Sequence, residues 1–329
     1  MRKGLRTLVL FLTVLVAASP VPVSAQIHKK VVRTAGHMLD SLQRRFLTKV
    51  DTNYIGNYPR PWRLSAMYNA SHYRGVAEDD GYSLYVSTKM TNRFSVGIGY
   101  QGLAFNYNYR MGSKKKSEMS IQAYGRRMGF EFKFHGSDKL NLELVADDGQ
   151  SISLVSEGNE FYSYVLDGYY AFNHRKFSYP AALAQSKIQK KSAGSLLAGV
   201  SLSSMGVTMA DVPEGDTESW SEVRLSLGLG YGYNWSFKGG KLLFHASWIP
   251  MLNLVDSDLT QAKGSSKYEN KETDRYSLFN LVRLGLFYNF SDRIYAGFLV
   301  TDNPVPKREQ GMFSMDNLLF SRATLTWRF

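Results

Sequence analysis

Residues 222–237 have the sequence EVRLSLGLGYGYNWSF, in which apolar and polar side chains alternate throughout. One face carries only apolar residues and ends in aromatic ones: Val223, Leu225, Leu227, Leu229, Tyr231, Tyr233, Trp235 and Phe237. Because successive side chains of a strand point to opposite sides, this pattern predicts a strand with one apolar and one polar face. An apolar face of this length that ends in aromatic residues is typical of a strand that faces lipid.

The last residues of the chain, LLFSRATLTWRF (318–329), repeat the same alternation. The polar face, which includes Arg322 and Arg328, is predicted to face a lumen, and the apolar face to face lipid. A terminal Phe with apolar residues two and four positions before it resembles the signal that the bacterial barrel-assembly machinery reads. The residues that carry this signal are Leu325, Trp327 and Phe329.

The N-terminus predicts export. MRKGLR is basic, residues 7–18 are apolar, and Val23-Ser24-Ala25 supplies small residues for a signal peptidase, so residues 1–25 are predicted to be a signal peptide cleaved after Ala25. The apolar stretch is shorter than the roughly 20 residues that a transmembrane helix needs. The net charge of the chain is +12. This positive charge favours contact with anionic partners, and it carries no information about the fold. We expect a protein of the cell outer membrane.

Further alternating segments indicate an all-β transmembrane antiparallel barrel over residues 63–329, with about 12 strands and 10–14 possible. The candidate strands are 64–74, 81–90, 94–110, 118–134, 139–147, 160–172, 194–208, 220–238, 241–255, 275–291, 293–302 and 316–329. In 94–110 and in 118–134 the apolar set changes parity part-way. We therefore expect a β-bulge at Gln101-Gly102 and another at Gly125 or Gly129.

Strand parity predicts the side of each connection. If the last strand ends in the periplasm, 303–315, 256–274 and 209–219 are extracellular, and the tight turns at 291–293 and 238–240 are periplasmic. Connections alternate between the two sides along the chain. Counting further back therefore places residues 173–193, here named the basic segment, on the periplasmic side. It is the one long connection predicted there. The alternative with 14 strands makes residues 177–186 a strand, with Pro180 at an edge or bulge.

The basic segment contains no acidic residue and gathers several cations. The residues that could contact a periplasmic protein partner are Arg175, Lys176, Lys187, Gln189, Lys190 and Lys191. Before the barrel, residues 26–62 form a predicted periplasmic segment with a short amphipathic helix, since apolar residues recur at helical spacing from Ala35 to Val50. This helix could brace or plug the pore, or could be a solvated lead-in.

The search for chemistry yields one weak catalytic candidate. His135 and Ser137 share a face if they lie in a strand, so His135 could act as general base toward Ser137. However, the sequence HGSDK (135–139) is typical of a turn, and parity places it at the periplasmic end. His72, His174 and His245 lack partners at metal-ligand spacing, and no phosphate-binding glycine loop is present. We therefore expect a non-enzyme without a cofactor, a metal ion or a nucleic-acid partner.

Inward positions of the predicted strands form the remaining candidate surface. These lumen-facing residues are Lys89, Glu131, Lys133, Glu143, Arg224, His245, Arg283, Arg322 and Arg328. Mixed charge with an excess of arginine predicts a lumen that is either closed by hydrogen bonds or mildly selective for anions. A barrel of about 12 strands permits both outcomes.

Four short stretches carry a family resemblance. They are NHRKFSYPAA (173–182), QKKSAGS (189–195), DTNYI (51–55) and GYQGL (99–103). Together they resemble domain-of-unknown-function family 4421, whose members are Bacteroidetes outer-membrane β-barrels, and the resemblance extends over roughly residues 35–329. It implies a barrel among outer-membrane lipids and implies no activity.

Three functional hypotheses follow. The first is a narrow porin-like channel for small polar or anionic solutes, because lumen positions are cationic and no catalytic set is evident. The second is a structural or interaction barrel that docks a periplasmic partner through the basic segment. The third, less favoured, is a lipid-modifying enzyme that uses His135 and Ser137.

Overall fold

The computed structural model describes residues 50–79, 82–88, 90–110, 118–137, 140–146, 150–154, 159–209, 217–264, 269–272, 278–303 and 313–329. The predicted signal peptide lies outside these residues, as does the amphipathic helix apart from its last residue. Within the described residues, no helix is long and apolar enough to cross a membrane.

The described residues contain the following strands, with helix α1 (Tyr179–Leu183) between β10 and β11. They are β1 (Ile55–Gly56), β2 (Trp62–Asp79), β3 (Tyr82–Thr88), β4 (Thr91–Tyr100), β5 (Leu103–Arg110), β6 (Glu118–Tyr124), β7 (Met128–Ser137), β8 (Leu140–Ala146), β9 (Ser151–Leu154), β10 (Glu160–Ala171), β11 (Ile188–Gln189), β12 (Ala193–Thr208), β13 (Thr217–Phe237), β14 (Leu242–Ala262), β15 (Glu269–Glu272), β16 (Leu278–Asn289), β17 (Ile294–Asp302) and β18 (Phe313–Arg328).

Twelve of these strands form a closed antiparallel barrel. Their order around the wall is β2, β4, β5, β6, β7, β10, β12, β13, β14, β16, β17 and β18. The last strand pairs with the first, from Arg328 opposite Arg63 to Phe313 opposite Ala77, so the wall of the barrel has no free edge. The predicted fold class and strand number are confirmed.

The two ends of the barrel differ in their connections. At one end, named the short-turn end, tight turns occupy 101–102, 125–127, 238–241 and 290–293, and the basic segment joins β10 to β12. The other ends of the wall strands lie at the opposite end, named the long-loop end. Outer-membrane barrels turn their short connections toward the periplasm, and the sides predicted for 238–240, 291–293 and the basic segment agree with this arrangement, whereas the side predicted for 135–139 does not.

The expected β-bulges are wrong. Segment 94–110 is two strands, β4 and β5, joined by a turn at Gln101-Gly102 in which Gln101 has a φ of 49°. A Cβ atom at Gly102 would lie 2.1 Å from the carbonyl oxygen of Tyr124, so the close approach of β6 requires glycine here. Segment 118–134 likewise contains a complete turn between β6 and β7. A parity change therefore marked a chain reversal in both cases.

Two predicted wall strands lie outside the closed wall. β3 and β8, within the predicted strands 81–90 and 139–147, pair with each other, and β3 continues the sheet from the outer half of β2. They extend the sheet at the long-loop end. The prediction missed two wall strands, because 94–110 and 118–134 each contain two, and it wrongly assigned β3 and β8 to the wall. The two errors cancel, so the predicted number of wall strands and the predicted direction of the later strands are unchanged.

Lipid-facing and lumen-facing residues alternate along the wall. In β4, Phe94, Val96 and Ile98 are 52%, 62% and 49% exposed, whereas Arg93 and Ser95 are buried. Aromatic side chains gather at the short-turn end, where Trp62, Trp327 and Phe329 form stacked or tilted contacts with their neighbours. The outward apolar band therefore ends in an aromatic girdle, as lipid-embedded barrels require.

Candidate functional site

The basic segment folds into the lumen at the short-turn end. Helix α1 begins after Ser178, whose Oγ accepts a hydrogen bond from the backbone N–H of Ala181 at 3.2 Å. Pro180 lies in the first turn, where its missing N–H costs no hydrogen bond. Every residue of α1 is buried. The strand that the 14-strand alternative assigned to 177–186 is thus a short helix inside the barrel.

Apolar contacts hold the segment against the inner wall. Phe177 and Tyr179 have no exposed surface and belong to one cluster with Leu197 and Ile249 of the wall. The ring of Tyr179 meets that of Tyr169 edge to face, with centroids 4.6 Å apart. Burial of an aromatic or leucine side chain stabilises by about 1.5–3 kcal/mol, so these contacts favour a lumen that stays filled.

A polar network orders the entry of the segment. The Gln189 carboxamide donates to the carbonyls of Lys176 and Lys191 at 2.7 and 2.8 Å, and its oxygen accepts from the Ser178 backbone N–H at 2.8 Å. From the wall, Asn234 donates to the Ser178 carbonyl at 2.9 Å and to the Gln189 oxygen at 3.1 Å. Gln189, predicted as part of the docking element, is buried and instead organises the segment.

A second network joins the segment to charges of the opposite wall. The Arg283 guanidinium donates to the Tyr179 hydroxyl at 3.0 Å and pairs with Asp167 at 3.2 Å. Lys133 lies 3.6 Å from Asp167 and 3.0 Å from Glu131. Because each of these charges is buried and has an opposite partner, the network spans the lumen without an uncompensated charge.

Most predicted lumen residues lie on the inner face and are buried. These are Glu131, Lys133, Arg224, His245, Arg283, Arg322 and Arg328. Glu143 is a correction: it lies on β8, outside the closed wall, and its side chain is exposed. Lys89 lies outside the described residues. His245 contacts the Asn234 oxygen at 2.7 Å and therefore supports the basic segment.

The positions of His135 and Ser137 differ from the predicted turn. Both lie inside β7, near the long-loop end, and both face the lumen, since each is 3% exposed. The His135 Nδ1 atom is 3.2 Å from Glu118, which also pairs with Arg93 at 2.5 Å. This buried charge cluster fills the lumen. Within the described residues no group of three metal-ligating side chains is present.

Residues 51–57 cover the basic segment from below the barrel. The backbone N–H of Asp51 donates to the Arg175 carbonyl at 2.9 Å, and β1 pairs with β11 at Ile55–Gln189. Lys187 donates to Asn57 at 2.8 Å. These contacts tie the start of the described chain to the inserted segment, so the two form one cap across the short-turn end.

The cations of the cap are only partly neutralised. The ammonium groups of Lys176 and Lys191 lie 5.2 and 5.7 Å from the ring centre of Tyr54, and Lys190 donates to the Thr52 carbonyl at 3.0 Å. None of these partners carries a negative charge. Burial, together with the positive charges of Arg126 and Arg63, lowers the pKa of Lys187 to about 8.

The short-turn end is therefore strongly electropositive. Its exposed cations are Arg127, Arg175, Lys176, Lys190, Lys191, Lys238, Lys241 and Arg293. Among the side chains described at this end, the acids are Asp51 and Asp292, and Asp292 pairs with Arg60. A surface with this charge attracts polyanions or acidic proteins.

The C-terminal residues of the predicted assembly signal face outward. Leu325, Trp327 and Phe329 are 56%, 48% and 45% exposed. Phe329 exchanges backbone hydrogen bonds with Trp62 at 3.1 and 3.3 Å, at the seam where the barrel closes. Their recognition by the assembly machinery stays a prediction.

The prediction missed the residues that make the segment a plug. Phe177, Tyr179 and Leu183 are buried, as is the partner Asn234. One local signal was available, because Ser178 followed by Pro180 is a helix-start pattern rather than a strand pattern. No local signal could have identified Asn234, whose role depends on a segment 56 residues away.

A family model, "Domain of unknown function (DUF4421)", matches residues 49–329. The chain belongs to this family. The resemblance predicted from short stretches is thereby confirmed, and it covers the whole barrel of this DUF4421 protein. No curated protein matches the chain.

Solved structures of outer-membrane barrels resemble the DUF4421 chain. The outer membrane protease OmpT from Escherichia coli is 8% identical, with 82% of this chain and 97% of OmpT covered and a TM-score of 0.45. The translocator domain of autotransporter NalP from Neisseria meningitidis is 10% identical, with 93% and 100% covered and a TM-score of 0.37. The COG4313 outer membrane channel from Pseudomonas putida F1 is 9% identical, with 83% and 98% covered and a TM-score of 0.24. At these values the likeness concerns barrel architecture and not activity.

Proposed function

We propose that this outer-membrane barrel is a closed docking platform that holds an acidic periplasmic protein on its basic segment. The observation that carries the proposal is the exposure of Arg175, Lys176, Lys190 and Lys191 on a segment whose other side is anchored in the lumen. A rigid surface costs less conformational entropy on binding than a mobile loop, which favours recognition.

Two features of the basic segment support docking over free conduction. Its apolar side chains are packed against the wall, and its polar atoms bond to residues of several strands. A solute that crosses the lumen would have to displace these contacts. The exposed cations, by contrast, are available without any rearrangement, and surface charges of one sign increase association rates with an oppositely charged partner.

The test is chemical cross-linking in intact cells followed by identification of proteins joined to the barrel. We expect the variant with Arg175→Glu, Lys176→Glu, Lys190→Glu and Lys191→Glu to lose its acidic partner, because attraction becomes repulsion. The matched control reverses Lys238, Lys241 and Arg293, which lie in other turns of the same end. An unchanged set of cross-linked proteins in the first variant would reject the docking function.

A second candidate is a narrow porin-like channel in which the basic segment acts as a gate. It is supported by a cavity of about 40 Å³ between this segment and the wall, lined by polar residues of β2, β5, β6 and β18. Planar-bilayer recordings test it. A channel predicts conductance steps that become more frequent in Asn234→Ala, which loosens the segment, and anion preference in those steps. Silent membranes with both proteins would exclude this candidate.

A further inference from the structure

Three arginines on β2 and β18 are buried in the lumen without an ion-pair partner. Arg63, Arg322 and Arg328 are 4%, 8% and 0% exposed. Among the side chains that the structure describes, no carboxylate lies within ion-pair distance of any of them. A guanidinium keeps its charge in proteins, and buried charges are almost always paired. An explanation for the missing negative charge is therefore needed.

The buried charge of Arg328 is compensated in part by aromatic rings and an amide oxygen. It lies over the rings of Tyr58 and Tyr295, at 3.5 and 4.4 Å from their centres, and donates to Asn289 at 3.0 Å. Aromatic faces and amide oxygens compensate a desolvated guanidinium in part. Its cross-strand neighbour Arg63 brings a second positive charge to the same place, and like charges directly opposite are destabilising.

Arg63 and Arg322 make hydrogen bonds only to neutral groups, and Glu131 attracts Arg322 from beyond ion-pair distance. Arg63 donates to the carbonyls of Gln101 and Leu103 at 2.6 and 3.5 Å, and Arg322 donates to Asn69 at 3.0 Å. Each guanidinium has five N–H donors, so both retain donor capacity that these contacts do not use.

The same two arginines line the cavity of about 40 Å³ inside the lumen. Its other polar lining residues are Ser65, Asn106, Gln122, Tyr295 and Thr324, and Leu183 and Ala184 of the basic segment form one side. None of the described lining residues is acidic. Gly99 makes room for the arginine, because a Cβ atom there would lie 2.8 Å from Arg63 Nη2.

We propose that this cavity is a binding site for one small inorganic anion, a halide or an oxyanion of phosphate size, held between Arg63 and Arg322. The volume is about three times the roughly 10–15 Å³ that a single water needs, which leaves room for one small ion in place of water. Guanidinium groups bind oxyanions through paired N–H donors, and the hydroxyls of Ser65 and Thr324 add neutral donors. The ion supplies a negative charge within ion-pair distance of both arginines.

The anion also connects the wall to the basic segment. Leu183 and Ala184 close the cavity at the end of α1, so the site is complete only when the segment occupies the lumen. A bound ion therefore stabilises the filled barrel over any form in which the segment has left. This coupling does not depend on what the exposed cations bind.

The first test uses the full-length barrel in neutral detergent and follows its melting temperature by intrinsic fluorescence. Sodium phosphate and sodium bromide are titrated against sodium gluconate at equal ionic strength, since gluconate is too large for the cavity. We expect a saturable increase of roughly 2–4 °C for at least one small anion. An increase that follows ionic strength alone, and is equal in gluconate, would overturn the proposal.

Matched variants locate the effect. Arg322→Gln and Arg63→Gln are expected to lose the anion-dependent increase, Arg322→Lys to keep a weaker one, and Lys241→Gln, at an exposed turn, to behave as the wild type. An anion response that persists in both glutamine variants would contradict the site.

A second measurement needs no variant. Crystals of the wild-type barrel soaked in bromide are expected to show an anomalous peak within hydrogen-bond distance of Arg63 and Arg322. Water alone in the cavity after both the bromide soak and a matched phosphate soak would overturn the proposal even if every variant failed to fold.

Discussion

The buried charges around Glu118 and Asp167 are paired, whereas Arg63, Arg322 and Arg328 have no carboxylate within ion-pair distance among the described side chains. Arg93 and Glu118 are 2.5 Å apart in the first group, and both are 1% exposed. In the second group Arg63 and Arg322 make hydrogen bonds only to neutral groups among the described residues. The difference teaches that the first group of charges needs no further partner, whereas the arginines of the second group would gain from an added negative charge.

The two ends of the lumen are also filled by different means. Toward the long-loop end, wall side chains meet one another directly, as Tyr73 and Phe161 do with ring centres 4.3 Å apart. Toward the short-turn end the wall presents small residues, including Gly232, and Phe177 of the basic segment occupies the space beside it. A separate piece of chain is needed where the wall itself provides too little volume.

Breaking the paired group should have the largest effect. Asp167→Asn removes the carboxylate that faces both Lys133 and Arg283. We expect a loss of about 3–5 kcal/mol in the free energy of unfolding, because a buried positive charge is left without a partner. Urea titration followed by gel mobility of the folded barrel measures it. Asp292→Asn, in an exposed pair, is the control and should cost less than about 1 kcal/mol.

Removing a buried side chain of the basic segment tests how the short-turn end is filled, again by the free energy of unfolding. Phe177→Ala leaves a cavity at a fully buried position and should cost about 3–5 kcal/mol. Phe172→Ala, at a 55% exposed position just before the basic segment, should cost much less. Equal losses in the two variants would show that Phe177 is not packed in the lumen.

The polar attachment of the segment should contribute less. Asn234→Ala leaves the Ser178 carbonyl and the Gln189 oxygen without the donor that serves both. A loss of about 1–3 kcal/mol is expected in the same titration. Asn92→Ala, at an exposed wall position, is the matched control. No difference between these variants would argue against an inserted segment.

The smallest effect concerns pH. Lys187 has a pKa of about 8 in the folded barrel, lowered by burial and by Arg126 and Arg63, against about 10.5 for an exposed lysine. A lowered pKa means that the unfolded chain holds its proton longer, so stability should rise between about pH 8 and pH 10.5 and be lost as the pH falls through 8. We expect on the order of 1–2 kcal/mol, since the side chain is only partly buried.

Lys187→Met separates this contribution from other titrations. The melting temperature of the wild type, relative to the variant, should increase from pH 7.5 to pH 10. A constant difference across this range would mean that Lys187 titrates like a surface lysine, and the short-turn end would then be less crowded with positive charge than its geometry indicates.

Errors in the sequence-based prediction arose where local pattern and chain direction conflict. The changes in alternation near Gly102 and Gly125 are compatible with either a bulge or a turn. Only the pairing of β5 with β4 and of β7 with β6 shows that both are turns. The same ambiguity moved His135 to the wrong end. Because β7 runs outward from its turn, His135 lies near the long-loop end beside Glu118.

Glu143 illustrates a second limit. Its strand alternates like a wall strand, yet β8 pairs with β3 beyond the end of the closed wall. Alternating apolar and polar residues predict only that a strand has one apolar and one polar face. A strand in the sheet that extends beyond the barrel shows this pattern as well as a strand of the closed wall does. The strands that form the closed wall are determined by which strands pair with each other. The alternation of residues within one segment does not predict these pairs.

By itself, the sequence determined that this chain is an all-β barrel with about 12 strands, a lipid-facing surface and its tight turns at one end. These properties follow from local alternation, which each strand carries in its own residues. Only the tertiary structure decided that the basic segment enters the lumen and that Arg63 and Arg322 meet beside it without an acid. Such contacts join residues far apart in the chain, and their energy depends on burial and charge that exist only after the barrel has closed.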